Sequence, residues 1–171
     1  MNSSQISVEQ KAVNVMNAIV AHDFSKVIKS YKKEHKATDE EALFVLTQLQ
    51  RWLTLCIVYP EKQYIIGSKV DAMWHNFILF TKDYERFCKD VAGFFIHHLP
   101  DVEAEGQGDI EIVIGEKNKR LEALEKDYEK HFGHKFPIGV WPTPMYHKKE
   151  HEGCNTCQMP PPCARCSVGM P

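Results

Sequence analysis

An apolar stripe with helical spacing runs through residues 38–59. Its members recur every three or four positions, which is the period of one helix face: Ala42, Val45, Leu49, Trp52 and Cys56. Thr38 and Glu41 have the spacing of a capping box, in which each side chain bonds the other residue's free backbone N–H group. Because Pro60 cannot continue a helix, the pattern predicts a long core helix ending just before it, with Cys56 as a buried, inert thiol.

Five further segments have the same periodicity, and they make the chain a helical protein. They are residues 7–22, 25–35, 69–80, 81–92 and 116–132. Residues 110–114 fit either a short strand or a helical lead-in, and Gly115 is expected to end that segment. The sequence therefore predicts an all-α fold, a single compact helical domain of about five to six helices.

Local signals at the helix ends refine these boundaries. Ser7 and Gln10 form a second capping box, and both Ser68 and Thr81 are expected to be N-caps of the helices that follow them. Gly93 ends the fifth helix in the usual C-terminal position. Two histidines at helix ends are expected at the surface, namely His22 and His35.

The composition fits one domain with an extension. The chain has 171 residues, of which 43% are hydrophobic, enough to bury a core. A formal net charge of -2 with mixed signs along the chain gives no general electrostatic reason to bind nucleic acid or a membrane surface. No secretory signal is evident, and no apolar run approaches the roughly 20 residues that span a bilayer. We therefore expect a cytoplasmic protein whose six cysteines are thiols or metal ligands rather than disulfides.

Residues 133–146 are rich in proline but keep several apolar side chains. The prolines preclude a long helix, whereas Val140 and Trp141 are apolar enough to pack back on the domain. Beyond this segment no pattern indicates a core. The sequence therefore divides into a helical domain, residues 1–146, and a Pro/Cys-rich, irregular tail, residues 147–171.

Two C-x-x-C pairs lie in the tail, separated by five residues. Each pair lets two thiolates bind one ion from a single turn, and two pairs complete a tetrahedral zinc site. The predicted ligands are Cys154, Cys157, Cys163 and Cys166, with His147 and His151 as substitutes for one cysteine. Copper(I) or an iron–sulfur cluster would use the same ligands. The alternative without a fixed metal is a tail of exchanging or redox-active thiols.

Residues 70–100 hold the densest set of reactive side chains outside the tail. Asp71 and His75 are four apart on a predicted helix, so they share a face on which the carboxylate can fix the imidazole tautomer. His97 and His98 follow a glycine stop, where the chain turns back and one of them can meet His75. Such a cluster would serve as a metal ligand set or as a general base. The predicted site is Asp71, His75 and His98, with His97, Tyr84 and Cys88 as additional candidates.

A structural interpretation of the same residues is simpler. Tyr84 and Cys88 share a helical stripe with Phe87, which places their side chains in the core. Asp71 complements the positive end of its helix from the first turn, and His75 fits a buried histidine bonded to it. From the sequence alone, a polar network that holds two helices together is favoured over a catalytic or metal site here.

Several residues of this stretch form an extended pattern, Asp71-x-x-Trp74-His75, Thr81-x-x-Tyr84-x-x-x-Cys88, Gly93, His98 and Pro100. Over residues 49–100 the chain thereby resembles the glycine-rich-domain-containing-protein-like family, known from plants, fungi and bacteria. The resemblance implies a helical domain without an established activity. Members often end in a Gly/Cys-rich tail, from which the Pro/Cys-rich tail of this chain departs.

The sequence leaves three functional hypotheses open. The first is a non-enzymatic metal-binding helical protein, with zinc as the ion, that acts through a protein partner. The second is an enzyme or cofactor-using protein with its site at Asp71, His75 and His98. The third is a protein–protein interaction module with a thiol-bearing tail. No phosphate-binding loop, serine-nucleophile elbow or paired-histidine protease motif occurs in the sequence, which favours the first, and no organic cofactor is indicated.

Overall fold

The structure, a computed structural model, describes residues 7–98, 110–137 and 139–144. Most of this part is helical: α1 (Val8–Val20), α2 (Ser25–His35), α3 (Asp39–Val58), α4 (Ser68–Leu79), α5 (Thr81–Phe87) and α6 (Ile110–Phe132). The chain continues from α5 into a π-helical turn, Cys88–Ala92. The predicted all-α fold is confirmed. The predicted boundary between domain and tail lies outside the described residues.

Helix α3 is the centre of the fold, since α1, α2, α4 and α6 all pack against it. Its predicted capping box is present: the Thr38 hydroxyl accepts the Glu41 N–H at 3.1 Å, and the Glu41 carboxylate accepts the Thr38 N–H at 2.8 Å. The helix ends two residues before Pro60. Cys56 packs against the core, and burial raises the pKa of its thiol, which keeps it protonated and inert.

Among the described helices, α3 is also the one with the length and apolar character of a membrane span. However, 67% of its apolar stretch is buried inside the domain. A core helix of a globular domain has this pattern, because its apolar residues face neighbouring helices.

Some predicted helix ends differ from the observed ones. The Ser7 hydroxyl caps α1 by accepting the Gln10 N–H at 3.1 Å, but the Gln10 side chain donates to Asn14 instead of completing a capping box. Ser68 and Thr81 are the first residues of α4 and α5, and neither helix has a side-chain cap. These N-termini are held by packing rather than by the capping that their sequences suggested.

Helix α6 decides between the two alternatives for residues 110–114. It begins at Ile110 and continues through Gly115, which confirms the helical lead-in and shows that the expected break at Gly115 was wrong. A helical glycine costs only about 1 kcal/mol relative to alanine. Further along the helix, the burial of Leu121, Leu124 and Tyr128 on its apolar face compensates for the cost of this glycine.

Polar contacts fix α6 against the rest of the domain. Asp127 is only 4% exposed and accepts hydrogen bonds from Lys62 Nζ at 2.6 Å and the Tyr64 hydroxyl at 2.5 Å. The neighbouring Tyr128 hydroxyl donates to Gln48 on α3 at 2.8 Å. A buried carboxylate with a lysine and a tyrosine donor is well satisfied, so the α6 register is set by specific pairs as well as by apolar packing.

Residues 139–144 pack back on the domain as predicted. Val140 and Trp141 are buried, and the Trp141 indole N–H donates to Gln48 at 3.4 Å. The backbone here lies directly against Gly67, where an added Cβ would stand 1.9 Å from the Val140 carbonyl oxygen. Only glycine fits this contact. The C-terminal segment is thereby anchored beside the start of α4.

His22 lies in an aromatic cluster instead of at the surface. Its ring packs at 4.9 Å from Phe24, 5.5 Å from Phe77 and 5.2 Å from Phe87. Its Nε2 is buried without a hydrogen-bond partner in the described part of the chain. The surface prediction was therefore wrong for His22, whereas His35 is exposed as predicted. Burial lowers the pKa of His22 below its ordinary value.

The contact at Gly67 predicts the effect of a single methyl group. Gly67→Ala should lower the free energy of unfolding by about 1–3 kcal/mol, because the new Cβ overlaps the Val140 carbonyl and the segment must shift. The matched control is Gly115→Ala inside α6, where nothing lies within 4 Å of an added Cβ. That change should be neutral or stabilising by up to about 1 kcal/mol. Urea denaturation of both variants tests the contrast, and equal stabilities would refute the close approach.

The environment of His22 predicts a loss of stability in acid. The folded state favours the neutral ring, whereas the unfolded chain binds a proton near about pH 6.5. Stability is therefore fully present above about pH 6.5 and falls as the pH drops below it. His22→Phe should reduce the loss measured by urea denaturation between about pH 7.5 and 5.5. Part of the loss remains, because burial also lowers the pKa of His131. An undiminished loss in the variant would contradict this role of His22.

Candidate metal centre

The candidate site forms where the chain reverses after α5. The π-helical turn closes with a hydrogen bond from the Gly93 N–H to the Cys88 carbonyl at 2.9 Å. Gly93 then adopts a left-handed φ of 77°, which glycine reaches without strain. Residues 94–98 consequently return to α4, where the His98 ring lies 4.8 Å from the Trp74 ring. Single π-helical turns are frequent at functional sites.

Tyr84 holds this returning segment in place. Its hydroxyl donates to the Ile96 carbonyl at 2.5 Å and accepts the Trp74 indole N–H at 3.2 Å. The Ile96 backbone also interacts with the Cys88 thiol and partly opposes the rise that burial causes in its pKa. The Ile96 carbonyl is thus paired with a buried side chain. Burial raises the pKa of both the Tyr84 hydroxyl and the Cys88 thiol, which keeps these groups protonated.

Three ligand atoms converge beyond this network. His98 Nε2 lies 2.9 Å from His75 Nε2 and 2.9 Å from Asp71 Oδ1. His75 Nε2 lies 4.0 Å from Asp71 Oδ2. Taken together, one potential ligand atom from each of the three residues lies within 4.8 Å of the others. The structure therefore brings together the three residues predicted from the sequence.

Hydrogen bonds alone leave part of the bonding capacity of these three nitrogen and oxygen atoms unused. Two imidazole Nε2 atoms in contact need one proton between them, since a lone pair cannot bond a lone pair. If His98 Nε2 carries that proton, it must divide it between the His75 nitrogen and the Asp71 carboxylate. A single cation in the middle would satisfy all three atoms at once.

The separations also fit the coordination shell of a transition metal. Ligands at about 2.0–2.1 Å from zinc stand roughly 3 Å apart, close to the spacing of the two shorter contacts. The site is open to water on the side of His75, whose side chain is 55% exposed, whereas that of His98 is 20% exposed. Two imidazoles and one carboxylate from the protein would leave further coordination positions free.

The additional candidates for this site lie outside the cluster of Asp71, His75 and His98. Tyr84 and Cys88 are buried residues that position the segment carrying His98, and neither belongs to the converging set. His97 is exposed, and its ring contacts Phe95 at 4.9 Å. Ile96 is buried and His98 is half-buried, whereas His97 between them is exposed, so Ile96 and His98 face the domain while His97 faces away. Ile96 was missed in the sequence analysis, although an apolar residue two positions before a histidine was a usable signal.

The predicted tail ligands lie outside the described residues. These are Cys154, Cys157, Cys163 and Cys166, with His147 and His151 as substitutes. The zinc site in the tail therefore stays a prediction. Within the described residues, the converging set of metal-ligating side chains is the one at α4.

The family of the chain is shown by a comparison with protein-family models. The UCP032817-like model matches residues 14–111. The chain belongs to the UCP032817-like family. This match spans more than half of the sequence and includes the C-terminal half of α1, all of α2 to α5 and the three residues of the candidate site. The comparison with curated proteins gives no significant match, and neither does the comparison with solved structures.

This result corrects the resemblance drawn from the sequence. The glycine-rich-domain-containing-protein-like assignment was wrong, since the matching family is the UCP032817-like one. The pattern behind it consists largely of aromatic, histidine and cysteine residues at helical spacing, and such spacing is a common property of packed helices. The UCP032817-like family is uncharacterised, so membership in it assigns no activity to this chain.

The two hydrogen bonds of the Tyr84 hydroxyl predict a loss of stability when that hydroxyl is removed. Tyr84→Phe keeps the ring but leaves the Trp74 N–H and the Ile96 carbonyl without their partner. The free energy of unfolding should fall by about 1–3 kcal/mol. Tyr31→Phe is the control, because Tyr31 is equally buried and its hydroxyl bonds no other described residue. Chemical denaturation should show little change in the control, and similar losses in both variants would contradict the role of Tyr84.

Proposed function

We propose that this domain binds one divalent transition-metal ion through Asp71, His75 and His98. The observation that carries the proposal is the meeting of two imidazole Nε2 atoms at 2.9 Å with a carboxylate oxygen 2.9 Å from one of them. Side chains that only stabilise a fold rarely gather three ligand atoms around one point. The ligands sit on a firm base, because α4 and the Tyr84 network hold both histidines.

Zinc is the ion that we propose. Two neutral imidazoles and one carboxylate suit zinc, and this set is used where zinc keeps an open coordination position. Ferrous iron also uses two histidines and a carboxylate, with more open positions. The half-exposed site puts few steric limits on coordination number, so the choice between these ions is a matter for direct titration.

The surroundings of the site favour metal binding over small-molecule catalysis. One surface cavity lies between α6 and residues 136–144, and another lies around the α4–α5 junction. Neither cavity is lined by a residue of the candidate site. Enzymes for small substrates usually enclose them in a concave pocket, whereas the His75 side chain is 55% exposed. We propose a non-enzymatic role for the bound ion.

Exposed apolar side chains beside the site support action through a protein partner. Leu79 is 75% exposed and follows His75 by one helical turn on α4. Phe94 and Phe95, which are 40% and 48% exposed, precede His98 on the returning segment. Large apolar residues close to a metal centre are typical of contact surfaces.

An enzyme remains the second candidate, and the open face of the site favours it. Zinc with three protein ligands activates a bound water molecule in many hydrolases. With the His75 side chain 55% exposed, such a water would face the solvent and could reach a macromolecular substrate. The binding experiment below tests the site that both candidates share.

The test uses the full chain with its four tail cysteines changed to serine, so that tail thiolates contribute no metal binding. Calorimetric titration with zinc should give one equivalent of bound ion. His75→Ala and His98→Ala should each weaken binding by more than about tenfold, since each removes a ligand. His97→Ala is the matched control, because this neighbouring histidine faces away from the site. Binding that is absent, or equally strong in the His75 and His97 variants, would refute the proposal.

A further inference from the structure

A surface cavity of about 310 Å³ lies between α6 and residues 136–144. Its volume is at the lower end of the range found for small-molecule sites. One wall is a face of α6 with Leu121, Glu122 and Glu125, and the other wall includes Phe136 and Trp141. The cavity shares no lining residue with the candidate metal centre, so what it binds is independent of the function proposed above.

The aromatic wall of the cavity is held in place by the domain. The rings of Phe136 and Trp141 lie 5.9 Å apart, and Phe136 also packs edge-on at 5.9 Å from Tyr128 of α6. The Trp141 indole N–H donates to Gln48 at 3.4 Å, and the Trp141 backbone lies against Gly67. Because these contacts exist without a ligand, little ordering of the wall is needed when a ligand binds.

The opposite wall is negatively charged. Glu122 and Glu125 are three residues apart on α6, so they are neighbours on one helix face. Neither carboxylate has an ion-pair partner among the described residues, whereas Lys119 on the same helix pairs with Glu116 at 2.7 Å. In the described part of the chain, no lysine, arginine or histidine lines the cavity. Two adjacent carboxylates give the cavity a negative potential, which favours a cation as its ligand.

The other lining residues distinguish an organic cation from a bare metal ion. Calcium takes six to eight oxygen ligands, and magnesium requires nearly octahedral oxygen coordination. Most side chains that line this cavity are apolar, so such a shell is not provided here. An ammonium ion that carries alkyl groups matches both walls, because its carbon atoms can cover apolar surface while its charge lies beside the carboxylates. Indole is also the aromatic ring that attracts cations most strongly.

We propose that the cavity binds a small organic ammonium ion. Its charge lies between Glu122 and Glu125, and its alkyl groups contact Phe136 and Trp141. Recognition depends on the positive charge and on the apolar groups together. A neutral molecule of the same shape would lose the attraction of the carboxylates, and a bare metal ion would gain nothing from the aromatic wall.

The test is a titration of the full chain with choline, followed by NMR through the indole N–H signals of its three tryptophans. The Trp141 signal, assigned with Trp141→Phe, should shift, whereas those of Trp52 and Trp74, which do not line the cavity, should stay in place. The neutral alcohol in which a carbon atom replaces the choline nitrogen is the matched ligand control. It should bind at least about tenfold more weakly than choline.

A pair of double variants tests the carboxylates. Changing both Glu122 and Glu125 to glutamine should weaken choline binding about fivefold or more. Changing both Glu116 and Glu129 to glutamine is the matched control, because it removes the same charge from α6 at positions that do not line the cavity. This control should leave the affinity unchanged.

Three results would overturn the inference. A Trp141 signal that choline does not move would show that the cavity takes no ammonium ion. Equal affinity for choline and its neutral analogue would show that the positive charge is not recognised. Equal losses in the two double variants would show a general effect of the charge of α6 instead of a contact with Glu122 and Glu125.

Discussion

The hydroxyl of Tyr84 joins helix α4 to the segment that returns to it after α5. It accepts the indole N–H of Trp74 on α4 and donates to the carbonyl of Ile96 on the returning segment. These two hydrogen bonds hold the segment that carries His98, whose Nε2 lies 2.9 Å from Asp71 Oδ1. The geometry of the candidate metal centre thus depends on a buried pair of hydrogen bonds that touches none of its ligands.

Much of the fold was predictable because the decisive signals are local. The capping box of Thr38 and Glu41, the apolar stripe of α3 and the stop at Pro60 all act within a few residues. The start of α6 was not predictable in this way. Gly115 is an unfavourable helical residue on its own, and the face that compensates for it lies one to four turns later against another part of the chain. His22 was misplaced for a similar reason, since two of its three aromatic neighbours, Phe77 and Phe87, come from distant positions.

The candidate site likewise has a part that was predictable from the sequence and a part that was not. Asp71 and His75 are four residues apart on one helix, so their proximity follows from helix geometry alone. His97 and His98 were equally good partners from the sequence. The choice between them depends on the π-helical turn and on the course of residues 94–98 after it, which leave His97 exposed and His98 half-buried. The sequence analysis therefore named the three residues whose ligand atoms converge but favoured a structural network, because that convergence is a tertiary property.

The contact between Gly67 and Val140 also bears on how the protein is made. A ribosome delivers the chain from its N-terminus, so α1 to α5 emerge well before the residues that cover Gly67. Until Trp141 has been synthesised, the Gln48 side chain lacks the hydrogen bond from the Trp141 indole N–H. Gln48 is one of the few buried polar residues of α3. The nascent domain thus exposes an incomplete surface to cellular chaperones for as long as some 70 further residues are being synthesised, at roughly 5–20 residues per second.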